Sequence, residues 1–93
     1  MSSTIKESIE RAAAALKSSG AEAVYIFGSA ARGTMRAGSD VDFAVSGLPP
    51  EKFFKAFSIA SSLFETPIHL VDLDEVTPFT RYLKEEGELQ RVG

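Results

Sequence analysis

Val24-Tyr25-Ile26-Phe27-Gly28-Ser29-Ala30-Ala31-Arg32-Gly33, followed by Ser39-Asp40-Val41-Asp42, is the stretch that decides the fold. An apolar run, Val24 to Phe27, reads as a strand and passes directly into a Gly-Ser turn. A second strand then opens with carboxylates at Asp40 and Asp42. Side chains alternate along a strand, so these two point the same way, ~6–7 Å apart along the chain. Two carboxylates that close repel unless a cation or a proton sits between them. Their spacing suits shared divalent ions, which in two-metal sites lie only ~3.5–4 Å apart. The turn offers backbone N–H groups and a hydroxyl, the groups to which phosphates bind. Together they describe a place for a nucleoside triphosphate and its Mg²⁺.

Outward from this stretch, helices and strands alternate. Residues Thr4 to Lys17 predict a helix, with Thr4 and Glu7 spaced as a capping box and Ile5, Ile9, Ala12, Ala13 and Leu16 on its buried face. Gly20 is a natural stop. The first strand is Ala23 to Phe27, a short helix lies near Ala30–Arg32, and Gly33 to Gly38 forms a loop. The second strand is Asp40 to Val45, with Val41, Phe43 and Val45 suited to a core on the face opposite the two acids. After a turn at Gly47 to Pro50, Glu51 to Phe64 predicts a helix carrying Phe53, Phe57, Ala60 and Phe64 on one side, with Phe54 off that stripe. A third strand, Ile68 to Leu73, and a last helix, Pro78 to Glu86 ended by Gly87, complete an α-β-α-β-α-β-α order.

The 93 residues, 44% hydrophobic and 25% charged, are expected to form one α/β (α+β) domain over residues 1–93 with a single small core. The net charge of −3 argues against a broad basic surface, so direct nucleic-acid binding is not expected. Without cysteine there is no disulfide framework, thiolate metal site or cysteine nucleophile. No apolar run is long enough to span a membrane, and no signal-peptide pattern opens the chain, so the expected location is the cytoplasm.

The Gly28-Ser29 to Arg32-Gly33 turn and the Ser39-Asp40-Val41-Asp42 strand resemble the signature of the DNA polymerase β-type nucleotidyltransferase superfamily. The short length and the Gly-Ser-x-Ala-Arg-Gly form resemble its minimal nucleotidyltransferases, the MNT proteins. The likeness runs on through Val71-Asp72-Leu73-Asp74-Glu75 and Arg81 to Gly87, and so covers most of the chain. It implies a small mixed β-sheet backed by helices, the polymerase β-like nucleotidyltransferase fold, with strands one and two as antiparallel neighbours. It implies transfer of a nucleoside monophosphate, AMP from ATP, to an acceptor hydroxyl with release of pyrophosphate. Asp40 and Asp42 would be catalytic and hold Mg²⁺, with Mn²⁺ as an alternative. Gly28, Ser29, Arg32 and Ser39 would bind the nucleotide. MNT proteins resemble the antitoxin half of HEPN–MNT toxin–antitoxin pairs, in which the acceptor can be a tyrosine of the HEPN toxin, an RNase. A HEPN protein is therefore the expected partner, and both homo- and hetero-oligomers remain open.

One position departs from the pattern. Relatives carry a third carboxylate on the third strand; here the matching run is Ile68-His69-Leu70-Val71, so His69 takes that place as the third catalytic residue. Asp72 is the alternative, but residues 69 and 72 face opposite sides of a regular strand, and a bulge would be needed. An imidazole can accept a proton yet ligates Mg²⁺ poorly. This leaves two functional readings: an active transferase, and a catalytically impaired MNT-like protein that neutralises its partner by occlusion. A small adaptor without a nucleotide role would make the whole constellation accidental. Arg36 reads equally well as a phosphate contact and as a surface residue. Asp72, Asp74 and Glu75 read as a solvated strand end.

Overall fold

The computed structural model describes residues 5–32, 40–86 and 88–93. Thr4, Gly33, Arg36, Ser39 and Gly87, on which some of the sequence expectations fall, lie outside the described residues.

Helix α1 (Ile5–Ser18) buries Ile9, Ala12, Ala13 and Leu16, the i, i+3, i+4, i+7 stripe of an amphipathic helix. Ile5, expected on that stripe, is 46% exposed, because it lies a turn short of the core and borders a surface groove with Ile9, Ile26 and Val92. Strand β1 (Ala23–Phe27) leads into the four-residue helix α2 (Ser29–Arg32). Strand β2 (Val41–Ser46) begins one residue later than expected, leaving Asp40 just ahead of it. A 3₁₀ turn, Pro50–Lys52, opens helix α3 (Phe53–Ser61), which is shorter than the predicted Glu51–Phe64. Strand β3 (Ile68–Asp72), helix α4 (Pro78–Glu85) and strand β4 (Gln90–Arg91) follow.

The strands form one mixed sheet in the order β3-β2-β1-β4. The β1–β2 pair is antiparallel, as the resemblance implied. The β2–β3 pair is parallel, and the crossover between them runs through α3. Strand β4 pairs antiparallel with β1 at the far edge, Tyr25 opposite Arg91 and Ile26 opposite Gln90. It was not expected, since two exposed polar residues carry no strand periodicity.

Alternation splits the sheet into two faces. Val24, Ile26, Val41, Phe43, Val45 and Ile68 point to one side and pack with α1 and α3. Val24, Val41, Phe43 and Val45 are wholly buried there, and burial of such side chains stabilises by ~1.5–3 kcal/mol each. Helix α3 meets this core mainly through Ala56 and Ala60, both fully buried. The small alanines allow close approach to Ala12 and Ala13 of α1. Phe53, Phe57 and Phe64 are only half-buried beside this contact, so the aromatic stripe flanks the helix contact rather than filling it. Phe64 reaches the core edge-on to Phe43, ring centroids 5.9 Å apart. The opposite face is covered over part of its length, where Leu83 of α4 packs with Phe27, Ala44 and Leu73.

Helix α4 starts rigidly. Thr77 caps it, accepting from the Thr80 backbone N–H at 3.1 Å, and the Thr80 hydroxyl accepts from the Thr77 N–H at 3.0 Å. Pro78 occupies the first turn, where its missing N–H costs nothing. The reciprocal cap uses threonine where glutamate or glutamine is usual, which is why the sequence pattern does not reveal it. No described helix is long and apolar enough to cross a membrane.

Candidate active site

Beyond the part that α4 covers, the second sheet face carries the acids. Phe27, Asp42 and His69 stand in one row across β1, β2 and β3, Phe27 opposite Asp42 and Asp42 opposite His69. Alternation turns Val41 and Phe43 into the core, so Asp42 must point outward beside the imidazole. Asp40 reaches the same imidazole from just before β2, which places both acids on one side as their spacing predicts.

His69 sits between them. Its Nδ1 lies 2.8 Å from Asp42 Oδ1, and its Nε2 lies 3.7 Å from Asp40 Oδ2. An ionised carboxylate only accepts hydrogen bonds, so the short contact requires the ring proton on Nδ1. That N–H donates to Asp42 and fixes the ring. Nε2 faces the Asp40 carboxylate at 3.7 Å, beyond direct hydrogen-bond distance. The site is open: side chains of Asp40, Asp42 and His69 are 44%, 23% and 61% exposed.

Gly28 abuts the same carboxylate. Its φ is +67°, a conformation that L side chains adopt at a cost of roughly 1–2 kcal/mol. A Cβ there would lie 2.6 Å from Asp42 Oδ2. The turn therefore needs glycine twice over, for its backbone angle and to make room for the acid. The second reason was not visible in the sequence, because it depends on the register that sets Phe27 opposite Asp42. Ser29 and Arg32 belong to α2 by their backbone, and their side chains lie outside what is described.

Asp72 is elsewhere. It stands opposite Val45, three residues from His69, and its Oδ1 accepts from the Asp74 backbone N–H at 2.9 Å. No bulge interrupts the β2–β3 register from residue 68 to residue 72. His69, not Asp72, is the β3 residue brought beside Asp40 and Asp42.

The donor set can be tested against Mg²⁺. Asp42 Oδ1 is taken by His69, which leaves Asp42 Oδ2 and the Asp40 carboxylate. Among the described residues, no group of three acidic, histidine or cysteine side chains has the arrangement of a metal-ligand set. Mg²⁺ is commonly held by one or two carboxylates, with waters and substrate phosphates completing its octahedron. Asp40 and Asp42 fit that manner of binding, whereas the imidazole is a poor third ligand for this ion.

On the Phe27 side, the row ends in an aromatic contact. Phe79, in the first turn of α4, meets Phe27 edge-to-face with ring centroids 5.8 Å apart. Phe79 carries no site signal in the sequence, since nothing local places it against Phe27.

A small mixed sheet, a Gly-Ser turn after its first strand and two carboxylates entering the second define a nucleotidyltransferase-type domain. The chain belongs to the family described as "Polymerase beta, Nucleotidyltransferase", whose model matches residues 9–89. Among solved structures, it is similar to a chain of a toxin–antitoxin complex crystallised with AMP-PNP. That match has a TM-score of 0.71 and 20% identity, over 97% of this chain and 73% of that one. It is also similar to a chain in the tri-AMPylated Shewanella oneidensis HEPN toxin in complex with MNT antitoxin, with TM-score 0.69 and 16% identity over 97% and 72%. A third likeness is to the MntA–HepT toxin–antitoxin, with TM-score 0.67 and 16% identity over 95% and 71%. At these identities the likeness shows the fold. No curated protein matches the chain.

Proposed function

We propose that this protein transfers AMP from ATP to a hydroxyl group of a partner protein, as the antitoxin of a HEPN–MNT pair. The observation that carries the reading is the cluster of Asp40, Asp42 and His69 beside the Gly28 turn. Membership of the nucleotidyltransferase family gives the cluster its reaction type. The similar complexes, one with AMP-PNP and one with a tri-AMPylated HEPN toxin, support the nucleotide and the acceptor class. ATP as substrate is consistent with action in the cytoplasm, and residues 1–93 act as one domain.

In the proposed reaction, the acceptor hydroxyl oxygen attacks the α-phosphorus of ATP. The new P–O bond forms as the bond from the α-phosphorus to pyrophosphate breaks, and pyrophosphate leaves with its electron pair. His69 Nε2 takes the hydroxyl proton and returns it to solvent, while Asp42 Oδ1 holds the ring through Nδ1. The Gly28–Ser29 backbone, Arg32 and Ser39 receive the triphosphate. Asp40 and Asp42 Oδ2 would hold Mg²⁺, which supplies charge neutralisation at the phosphates when bound. The remaining contribution is positioning of the two reactants. The open site suits an acceptor as large as a protein loop, since the side chains of the cluster are reachable from solvent.

The second reading, neutralisation by occlusion without transfer, draws on the same histidine. An imidazole where relatives carry a carboxylate leaves the Mg²⁺ site with two acids. One experiment separates the two. The protein is incubated with a candidate HEPN partner, Mg²⁺ and ATP labelled at either the α- or the γ-phosphate. Transfer predicts label on the partner from α-labelled ATP alone and a mass increase of one or more AMP units. A partner that is neutralised but unlabelled in both arms selects occlusion.

A further inference from the structure

Phe79 is on the core-facing side of α4, one turn before the buried Leu83, yet it remains 49% exposed. Residues at i and i+4 share a helix face, so both should be covered alike. Leu83 is covered because Phe27, Ala44 and Leu73 lie against it. Phe79 has Phe27 at one ring edge, and past Phe27 the row continues into Asp42 and His69 instead of apolar side chains. Phe79 therefore stands one ring away from the row that carries Asp42 and His69. The helical turn that carries the ring is also capped. The Thr77–Thr80 cap fixes the first turn, and the Thr80 hydroxyl donates to the Glu75 carbonyl at 2.6 Å, with Thr80 itself buried. A half-exposed aromatic against Phe27, the residue that leads into the Gly28 turn, is suited to a flat π-system.

We propose that Phe79 is the nucleobase platform of this site, stacking the purine of the nucleotide whose phosphates lie over Gly28 and the carboxylates. This rests on the nucleotide-binding reading above. It identifies Phe79 as a substrate-binding residue that acts on the base and not on the phosphates. Stacking is tolerant of base identity, because every base has a π-face. The platform thus favours purines by stacking area and leaves discrimination among them to other groups.

The test uses the whole chain, ATP and inorganic tripolyphosphate, both with Mg²⁺. Base stacking on an aromatic ring, by the usual effect of alanine substitution, predicts that Phe79→Ala weakens ATP binding about 5- to 150-fold. Tripolyphosphate, which has no base, should bind the variant within about twofold of wild type. The chain contains no tryptophan, so Phe79→Trp installs a single reporter on the platform. Its fluorescence should respond to ATP and not to tripolyphosphate. Equal loss of both ligands in Phe79→Ala, undiminished ATP binding by that variant, or an indole signal in Phe79→Trp that is blind to ATP overturns the platform. If wild type binds neither ligand, the nucleotide reading fails first and the platform with it. If wild type binds both and Phe79→Ala changes neither, only the platform falls.

Discussion

Two acidic clusters flank β3, and they differ in what their carboxylates hold. At the end of the strand, Asp72 accepts from the Asp74 N–H, and Asp74 Oδ2 accepts from the Gly47 N–H at 2.8 Å. These acids bind the chain to itself and close a turn. At the start of β2 and β3, Asp40 and Asp42 have, among the described residues, only the His69 ring as a side-chain partner. Backbone partners make an acid structural. Asp40 and Asp42 instead face one ring and solvent, and they are the acids of the proposed cation site. Residue type and spacing alone do not separate the two; their hydrogen-bond partners do.

The contrast is sharpest at Asp42, where the largest effect is expected. Asp42→Asn removes a charge from the proposed Mg²⁺ site and the acceptor that orients His69. Transfer of labelled AMP should fall roughly 10³-fold or more. Stability should shift by no more than about 0.5 kcal/mol, because the side chain holds no buried group in place. A melting temperature that collapses with activity would move Asp42 into the structural class.

His69→Ala comes next. Losing a positioned base should slow transfer about 10²-fold. His69→Asp should recover much of that rate in Mg²⁺, since it restores an oxygen ligand at the β3 position. Steady-state rates for the two variants check this, and equal rates in all three proteins would remove His69 from the reaction.

Gly28→Ala tests the close approach between the turn and the acid. The positive φ should cost about 1–2 kcal/mol of stability by chemical denaturation. Displacement of Asp42 should lower transfer roughly 10- to 10²-fold, as small misplacements at reacting centres do. The smallest effect is expected in the other cluster. Asp74→Ala loses the bond to Gly47 and should cost about 0.5–1.5 kcal/mol, with transfer unchanged per folded molecule.

Much of the fold around the first cluster was legible in the sequence, for reasons that are local. The β1 strand, the Gly28 turn and the alternation that sends Val41, Phe43 and Val45 inward all depend on neighbouring residues. So does the placement of His69, since its period-two position settles it against Asp72 once the strand is regular. What depended on distant partners was not legible. Strand β4 exists only because β1 offers it an edge. Helix α3 touches the core through Ala56 and Ala60 because α1 presents alanines opposite, which its phenylalanine pattern did not suggest. The Gly28–Asp42 contact and the Phe79–Phe27 contact each join segments far apart in the chain.

The most direct test sets the two clusters against each other. Asp40→Asn/Asp42→Asn and Asp72→Asn/Asp74→Asn are compared for transfer from α-labelled ATP to a candidate HEPN partner, at matched concentrations of folded protein. No detectable transfer is expected from the first variant and wild-type transfer from the second. Wild-type transfer by Asp40→Asn/Asp42→Asn, or its loss only in Asp72→Asn/Asp74→Asn, would contradict the assignment of the reaction to the Asp40–Asp42–His69 cluster.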